Sequence, residues 1–469
     1  MKKMKPLALF SFVIILLFSL AACSSGGKET QPNSQNTENK STNEKPDNES
    51  SNEEAKTEEP PAEEETYDLD GREIRFSAWW DGTPNAETPE GEKALKRQAE
   101  VEKKYNIKIK HISQDYWETA EKFSSTVMGG EPYADVVMVP ANIVLSLLKG
   151  GYLTALDDVM NVKEETRLSD QMIEAGSYGT GKTYGFLTSA PLFDNTGLLY
   201  NKRIFEEAGL PTPTEYIEKG EWDWDTFVDV TKQLTLSKSG SGKIDQWGLT
   251  GSAFSIGANT IYSNGGVIYD ENAQKIAVDS PEAMEGLEFL NKLFNEYKVV
   301  KRDEGNNWED PARYFREGQI AMYPTGLFEV APRFLNQMED EYGFVPFPKG
   351  PKADKIIMGQ PQLHVNAIPR GVKDPKIVYK IWEDLQNFDT IEDDNLATAE
   401  TWFSDEDSVN HALNTFNIMR FARYSGLNVE DTMWTLFNDV MDGKVTPAAG
   451  VAQLMPTMQA NVDKILKGE

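Results

Sequence analysis

From Tyr67 onward, apolar runs of strand length alternate with stretches whose apolar positions recur every three to four residues. Ile74, Phe76, Ala78 and Trp80 alternate with their neighbours as a strand does. Glu90 to Tyr105 reads as an amphipathic helix, Ile107 to Ile112 as a strand and Tyr116 to Met128 as a helix. Asp135 to Val139 is a near-continuous apolar run, the pattern of a parallel strand covered on both faces. Leu198 to Tyr200 follows, then a short helix Lys202 to Ala208 closed by Gly209. Asp223 caps a helix running to about Leu236, Ser280 and Pro281 open one reaching Tyr297, and Thr446 with Pro447 starts the last, with a kink expected at Pro456. This repeated strand-helix-strand rhythm predicts an α/β protein with parallel sheets. The roughly 400 residues involved exceed what one core holds, so two lobes are expected.

The pattern before Tyr67 is different. Lys2, Lys3 and Lys5 precede an uncharged apolar run, Leu7 to Leu20, which is too short to span a bilayer and reads as a secretory signal. It ends in Leu20-Ala21-Ala22-Cys23, which resembles the lipobox at which bacterial lipoproteins are cleaved and the new N-terminal cysteine is acylated, a palmitate-type anchor. Ser24 to Thr66 contains no Leu, Ile, Val, Met, Phe, Tyr or Trp, carries 12 acidic against 4 basic residues, and is expected to be disordered. As a flexible coil it reaches on the order of 35 to 40 Å, so it reads as a tether.

Composition then narrows the chemistry. The 469 residues carry 47 Lys and Arg against 76 Asp and Glu, a formal net charge of -29. So acidic a chain repels phosphate backbones and anionic headgroups, and nucleic acid is excluded as a partner. With one cysteine and three widely spaced histidines (His111, His364, His411), no Cys/His zinc cluster, disulfide scaffold or thiol nucleophile is expected. No cofactor or metal is expected.

Gly176, Gly181, Lys182 and Thr183 match the G-x-x-x-x-G-K-[ST] phosphate-binding pattern letter for letter. A working phosphate loop follows a buried strand and opens a helix, whereas here a helical stretch precedes and an extended one follows. Gly179 to Lys182 therefore reads as a tight turn. Paired carboxylates such as Asp157 and Asp158, or Asp223 and Asp225, suit an acid-base pair in principle, but among 76 acidic residues such pairs arise by chance, and a turn and a helix cap explain them. Trp79 and Trp80 end a predicted strand, where ligand crevices form, followed by Asp81 and Gly82. Strand alternation turns Trp80 inward and leaves Trp79 the freer ring, or the reverse at a twisted strand end. Flat aromatic faces beside carboxylates and amides suit a sugar ring, with its C–H face and rim of hydroxyls; core packing is the competing role for each Trp.

The order Leu198-Leu199-Tyr200-Asn201-Lys202-Arg203-Ile204-Phe205, Ala208-Gly209-Leu210-Pro211 and Trp224-Asp225-Thr226-Phe227 ahead of Leu234-Thr235 resembles extracellular solute-binding proteins (family 1 type) of carbohydrate ABC importers, relatives of maltodextrin-binding protein. Asp135-Val136-Val137 with Gly151-Tyr152-Leu153 and Leu156-Asp157, Phe315 to Met322 with Gly326, and the helix from Thr446 through Leu466 agree in order, so the resemblance covers roughly Ile74 to Leu466. It implies a two-lobed type 2 periplasmic-binding-protein fold with an interlobe cleft. The division expected is a lipoprotein signal over 1–22, the lipidated Cys23 and tether over 23–66, lobe 1 over 67–192 and 358–400, and lobe 2 over 193–357 and 401–469. The resemblance implies ligand contacts from Trp79, Trp80 and Asp81, from Asn142 in the Pro140 to Asn142 turn, from Asp194 in the first crossover and from Phe328, where relatives often carry Trp. Trp402 and Trp434 are added from the stretch around 387–428 and beyond, which departs most from the family pattern. It further implies a non-enzymatic receptor, a monomer, held by lipid on Cys23 at the outer face of the cytoplasmic membrane, handing a sugar or oligosaccharide to ABC permease subunits. The alternatives are a polyamine or other non-sugar solute on the same fold, a surface glycosidase, or an adhesion module.

Overall fold

The computed structural model describes residues 67–86, 89–188, 192–193, 195–304, 309–360 and 363–467. The apolar run Leu7 to Leu20, Cys23, the tether and Asp194 lie outside the described residues.

The first sheet has the order Val365–Ala367, Val136–Val139, Arg72–Ala78, Ile107–Ser113. Its three N-terminal strands are parallel, with Phe76 beside both His111 and Val136, and Val365–Ala367 joins antiparallel. Val136, Val137 and Val139 are almost wholly inaccessible, which accounts for their unbroken apolar run. Asp135, just ahead of them, is the polar exception: its buried carboxylate pairs with Arg72 at 2.9 Å and Arg75 at 3.1 Å and accepts the Arg75 amide at 2.9 Å. Helices Pro89–Tyr105 and Pro375–Leu385 pack on each other beside this sheet.

The second sheet runs Tyr342–Val345, Thr196–Asn201, Ile320–Gly326, Trp247–Thr250, Val300–Lys301. Thr196–Asn201 pairs antiparallel on both sides, and the remaining pairs are parallel. Every residue of Thr196–Asn201 and Ile320–Gly326 is buried. Between the two sheets in chain order, Met358–Gln360 pairs in parallel with Met419–Phe421 as a separate two-stranded ribbon. Helices Glu430–Met441 and Pro447–Lys467 pack on Ala253–Ser263 and Pro281–Asn291 of the second half, and the last also touches Ala141–Lys149 of the first.

Local chemistry sets most helix ends. Asn201, Asp223 and Ser280 accept amide hydrogen bonds at their helix starts, and Gly209 closes Lys202–Ala208 at φ 65°. Two boundaries differ from the sequence expectation. The helix expected from Tyr116 begins at Thr119, because Asp115 Oδ1 accepts the Trp117 amide at 2.8 Å and holds the preceding residues in a turn. The helix from Asp223 stops at Gln233, since Leu236 is drawn into a bridge with Gln246. Pro281–Asn291 continues to Glu296 as a π-helix, and Pro447–Lys467 runs through Pro456 as one helix.

The sequence that imitates a phosphate loop follows helix Asp170–Ser177, which ends with Tyr178 in the left-handed region; Gly179 and Gly181 also have positive φ. Lys182 pairs with Asp158, and the Thr183 amide is taken by Asp157 at 2.6 Å. Gly179 to Lys182 form a turn after a helix, and among the described residues no helix N-terminus follows to receive phosphate.

Candidate functional site

Strand Arg72–Ala78 delivers two tryptophans to its C-terminal end. Trp79 is partly buried, while Trp80 is 47% exposed, so the twisted-end alternative holds and Trp80 is the freer ring. Trp79 is the centre of an aromatic cluster: its ring lies 5.0 Å from Trp80, 5.3 Å from Tyr116 and 4.7 Å from His364, each edge-to-face. His364 Nδ1 accepts the Ala141 amide at 3.1 Å, which places the ring proton on Nε2 in the neutral form. Burial pushes its pKa down to about 4. The Tyr116 hydroxyl donates to Asn142 Oδ1 at 3.4 Å, so Asn142 joins the same wall. Asp81 is exposed and turned to its own loop: Oδ1 accepts the Thr83 amide at 3.0 Å, and hydrogen bonds from Thr83 hold its carboxyl below the usual range.

On the other face of the strand end, Trp80 and Gly82 border a cavity of about 300 Å³. Phe76, Ala78, Met138 and Trp382 supply its apolar floor, and among the described residues no charged side chain lines it. His111, bonded to Gln98 at 3.1 Å, is among its few polar groups.

The second half contributes a stacked pair. Trp434 lies on Phe254 with ring centroids 4.9 Å apart and planes at 26°, and Phe437 meets Phe254 edge-on at 5.4 Å. Trp434 is nonetheless 42% exposed, so one face remains open. Phe328 and Phe193 form a third group, both more than half exposed, with the Phe328 amide bonded to the Phe193 carbonyl at 3.1 Å. Trp402 meets Phe193 edge-on at 5.2 Å, but it is 6% exposed and packs with Ala399, Phe403 and Val409 in the core of the second half. That location is structural.

Of the residues singled out in the sequence, Trp79, Trp80 and Asn142 are thus brought together, Trp434 stands on a wall of its own, and Phe328 sits with Phe193. Among the described residues no ring contact joins the Phe193 and Phe328 pair to the other two groups. Tyr116, His364 and Phe254 were not anticipated. They come from a loop, a crossover segment and a helix start with no periodic signal, and His364 meets Ala141 across 223 residues.

Two α/β halves on separate sheets, joined by several chain crossings and presenting aromatic walls at strand ends, define a solute receptor. A family model for bacterial extracellular solute-binding proteins matches residues 85–380, more than half of the chain, and the chain belongs to that family. It is a solute-binding protein and not an enzyme. No curated protein matches it by sequence. Solved structures with the same fold include an ABC substrate-binding protein from Listeria monocytogenes in complex with cycloalternan, 19% identical, covering 85% of this chain and all of that one at a TM-score of 0.60. A cyclo/maltodextrin-binding protein complexed with maltotetraose is 17% identical, covers 84% and 98% of the two chains and has a TM-score of 0.64. UgpB from Mycobacterium tuberculosis, in complex with glycerophosphocholine, is 17% identical over 83% of this chain and 98% of that one, with a TM-score of 0.61.

Proposed function

We propose that the protein is the lipid-anchored receptor of an ABC importer and that it captures a sugar or oligosaccharide between its halves. The observation that carries the reading is the aromatic wall Trp79, Tyr116 and His364 with Asn142 beside it, together with the open stacked pair Phe254 and Trp434. Pyranose rings stack their C–H faces on such rings while hydroxyls bond to amides and imidazoles. The sugar complexes of the Listeria monocytogenes and cyclo/maltodextrin-binding proteins support it. The phosphodiester of a zwitterion such as the glycerophosphocholine held by UgpB would call for converging Arg or Lys, and none stands among these wall residues.

A thermal-shift screen with mono- and oligosaccharides against spermidine and glycerophosphocholine tests the ligand class. Stabilisation by a saccharide series alone is expected; stabilisation only by the amine or the phosphodiester would overturn it. The anchor is tested separately. Cys23→Ser should abolish acylation and cleavage at that cysteine, and mass spectrometry finding an unmodified Cys23 in the wild type would refute the anchor.

A further inference from the structure

The first sheet brings four chain segments to one edge. Arg72–Ala78, Ile107–Ser113 and Val136–Val139 run parallel, with Ala78 beside Ser113, so the residues that follow these strands emerge on the same side. Val365–Ala367 is antiparallel and pairs Val365 with Val139, so His364 stands at that edge as well. In sheet order the edge reads His364, Asn142, Trp79, then Tyr116 and Trp117, and four neighbouring strands set it out over about 14 Å.

Trp117 ends this row, on the loop of an outermost strand. It is 81% exposed, the most open large apolar side chain among the described residues. Its ring meets Tyr116 edge-to-face at 5.0 Å, and Tyr116 meets Trp79 in the same way at 5.3 Å, so Trp117 continues the first aromatic wall instead of standing apart from it. The loop that carries it is fixed. The Gln114 amide donates to the Ala78 carbonyl at 2.8 Å, Asp115 Oδ1 accepts the Trp117 amide at 2.8 Å, and the Thr119 hydroxyl donates to the Asp115 carbonyl at 3.0 Å. An indole held in water on a fixed loop is a platform made in advance, and the cost of its wet apolar surface is recovered when a partner covers it. One pyranose ring covers one such platform. Touching the row from end to end takes a chain of linked rings, and aromatic and amide groups without formal charge suit a neutral, hydroxyl-rich one.

We propose that Trp117 is the terminal platform of this row and sets the length of solute that is bound: the solute is a linear oligosaccharide laid along the strand ends from His364 and Asn142, over Trp79 and Tyr116, to Trp117. This rests on the sugar reading above and narrows it. The competing role for Trp117 is a contact with another protein surface.

Calorimetry on the full folded chain with malto-, cello- and xylo-oligosaccharides, each from monosaccharide to pentasaccharide, separates the two. In the series that binds, affinity should rise with length up to the chain that reaches Trp117. Trp117→Ala should remove roughly 3- to 15-fold of that rise, as loss of one stacking ring does, and Trp117→Phe, which keeps a flat face, should retain most of it. Trp79→Ala, within the row, should instead weaken every length. Melting curves establish that the variants fold, and Trp117→Ala should melt with the wild type because its ring is already in water. Equal affinity at every length, or a length dependence that Trp117→Ala leaves intact, would overturn the proposal and leave the sugar reading standing. Binding of no saccharide in any series would overturn both.

Discussion

Packing an imidazole against Trp79 and Tyr116 penalises its charged form, and this gives His364 a measurable consequence for stability. Its pKa is pushed down to about 4 in the folded protein, whereas in the unfolded chain it titrates near 6.5. Between those values the unfolded state binds a proton that the native state refuses, so this contribution is present above about pH 6.5 and is lost as pH falls, by about 2 kcal/mol at about pH 5. His111 and His411 are shifted the same way by burial, so the acid sensitivity is shared. His364→Asn, which can still accept the Ala141 amide, should reduce the loss of urea stability between about pH 7.5 and pH 5; an unchanged loss would mean that His364 is not buried in the neutral form. The tryptophans divide by the same physical test. Trp402, 6% exposed in a core, should cost about 3 to 5 kcal/mol of stability when changed to Ala. Trp434, 42% exposed, should cost much less stability and its effect should fall on binding. Equal urea midpoints for the two Ala variants would contradict this division.

At the scale of elements, the crossing of helix Asp170–Ser177 over the segment that follows its turn leaves no room for an added side chain. A Cβ on Gly176 would lie 1.9 Å from the Gly185 carbonyl oxygen, which is backbone and cannot rotate away. Gly176→Ala should therefore destabilise the protein by at least about 1 to 3 kcal/mol. Gly129→Ala, at negative φ with its nearest contact at 3.4 Å, should be close to neutral, and thermal unfolding of the pair checks the contrast. Much of this level was legible in the sequence. Alternation and buried apolar runs mark the strands, and Asp223, Ser280 with Pro281, and Gly209 mark helix ends, because these signals act within a few residues. What was not legible depended on distant partners. Leu236 left its helix for Gln246, and the freer of Trp79 and Trp80 was decided by strand twist and by the arrival of Tyr116 and His364. Trp402 could not be told from Trp434, since both lie on helices and only the packing of the second core separates them.

For the whole molecule, the last helix, Pro447–Lys467, touches Ala141–Lys149 of the first half as well as helices of the second, so a solute bound between the halves would contact elements on both sides. The ordered motifs that resemble solute-binding proteins reached this architecture from sequence, but they did not supply the walls, whose Tyr116, His364 and Phe254 lie outside every motif. A ligand that moves closure from about 1% to 99% must favour the closed state by about 5.5 kcal/mol, so small-angle scattering should show a smaller radius of gyration on saturation with the best saccharide. An unchanged radius would mean that binding does not draw the halves together. The claim on which the rest depends is that the Trp79 wall of the first half and the Trp434 wall of the second bind one solute. Calorimetric affinities of Trp79→Ala, Trp434→Ala and the double variant for that saccharide measure it most directly. Each single change should weaken binding roughly 5- to 150-fold with the apo protein still folded, and the double variant should bind weaker than either. Wild-type affinity in either single variant would contradict a site shared by the two walls.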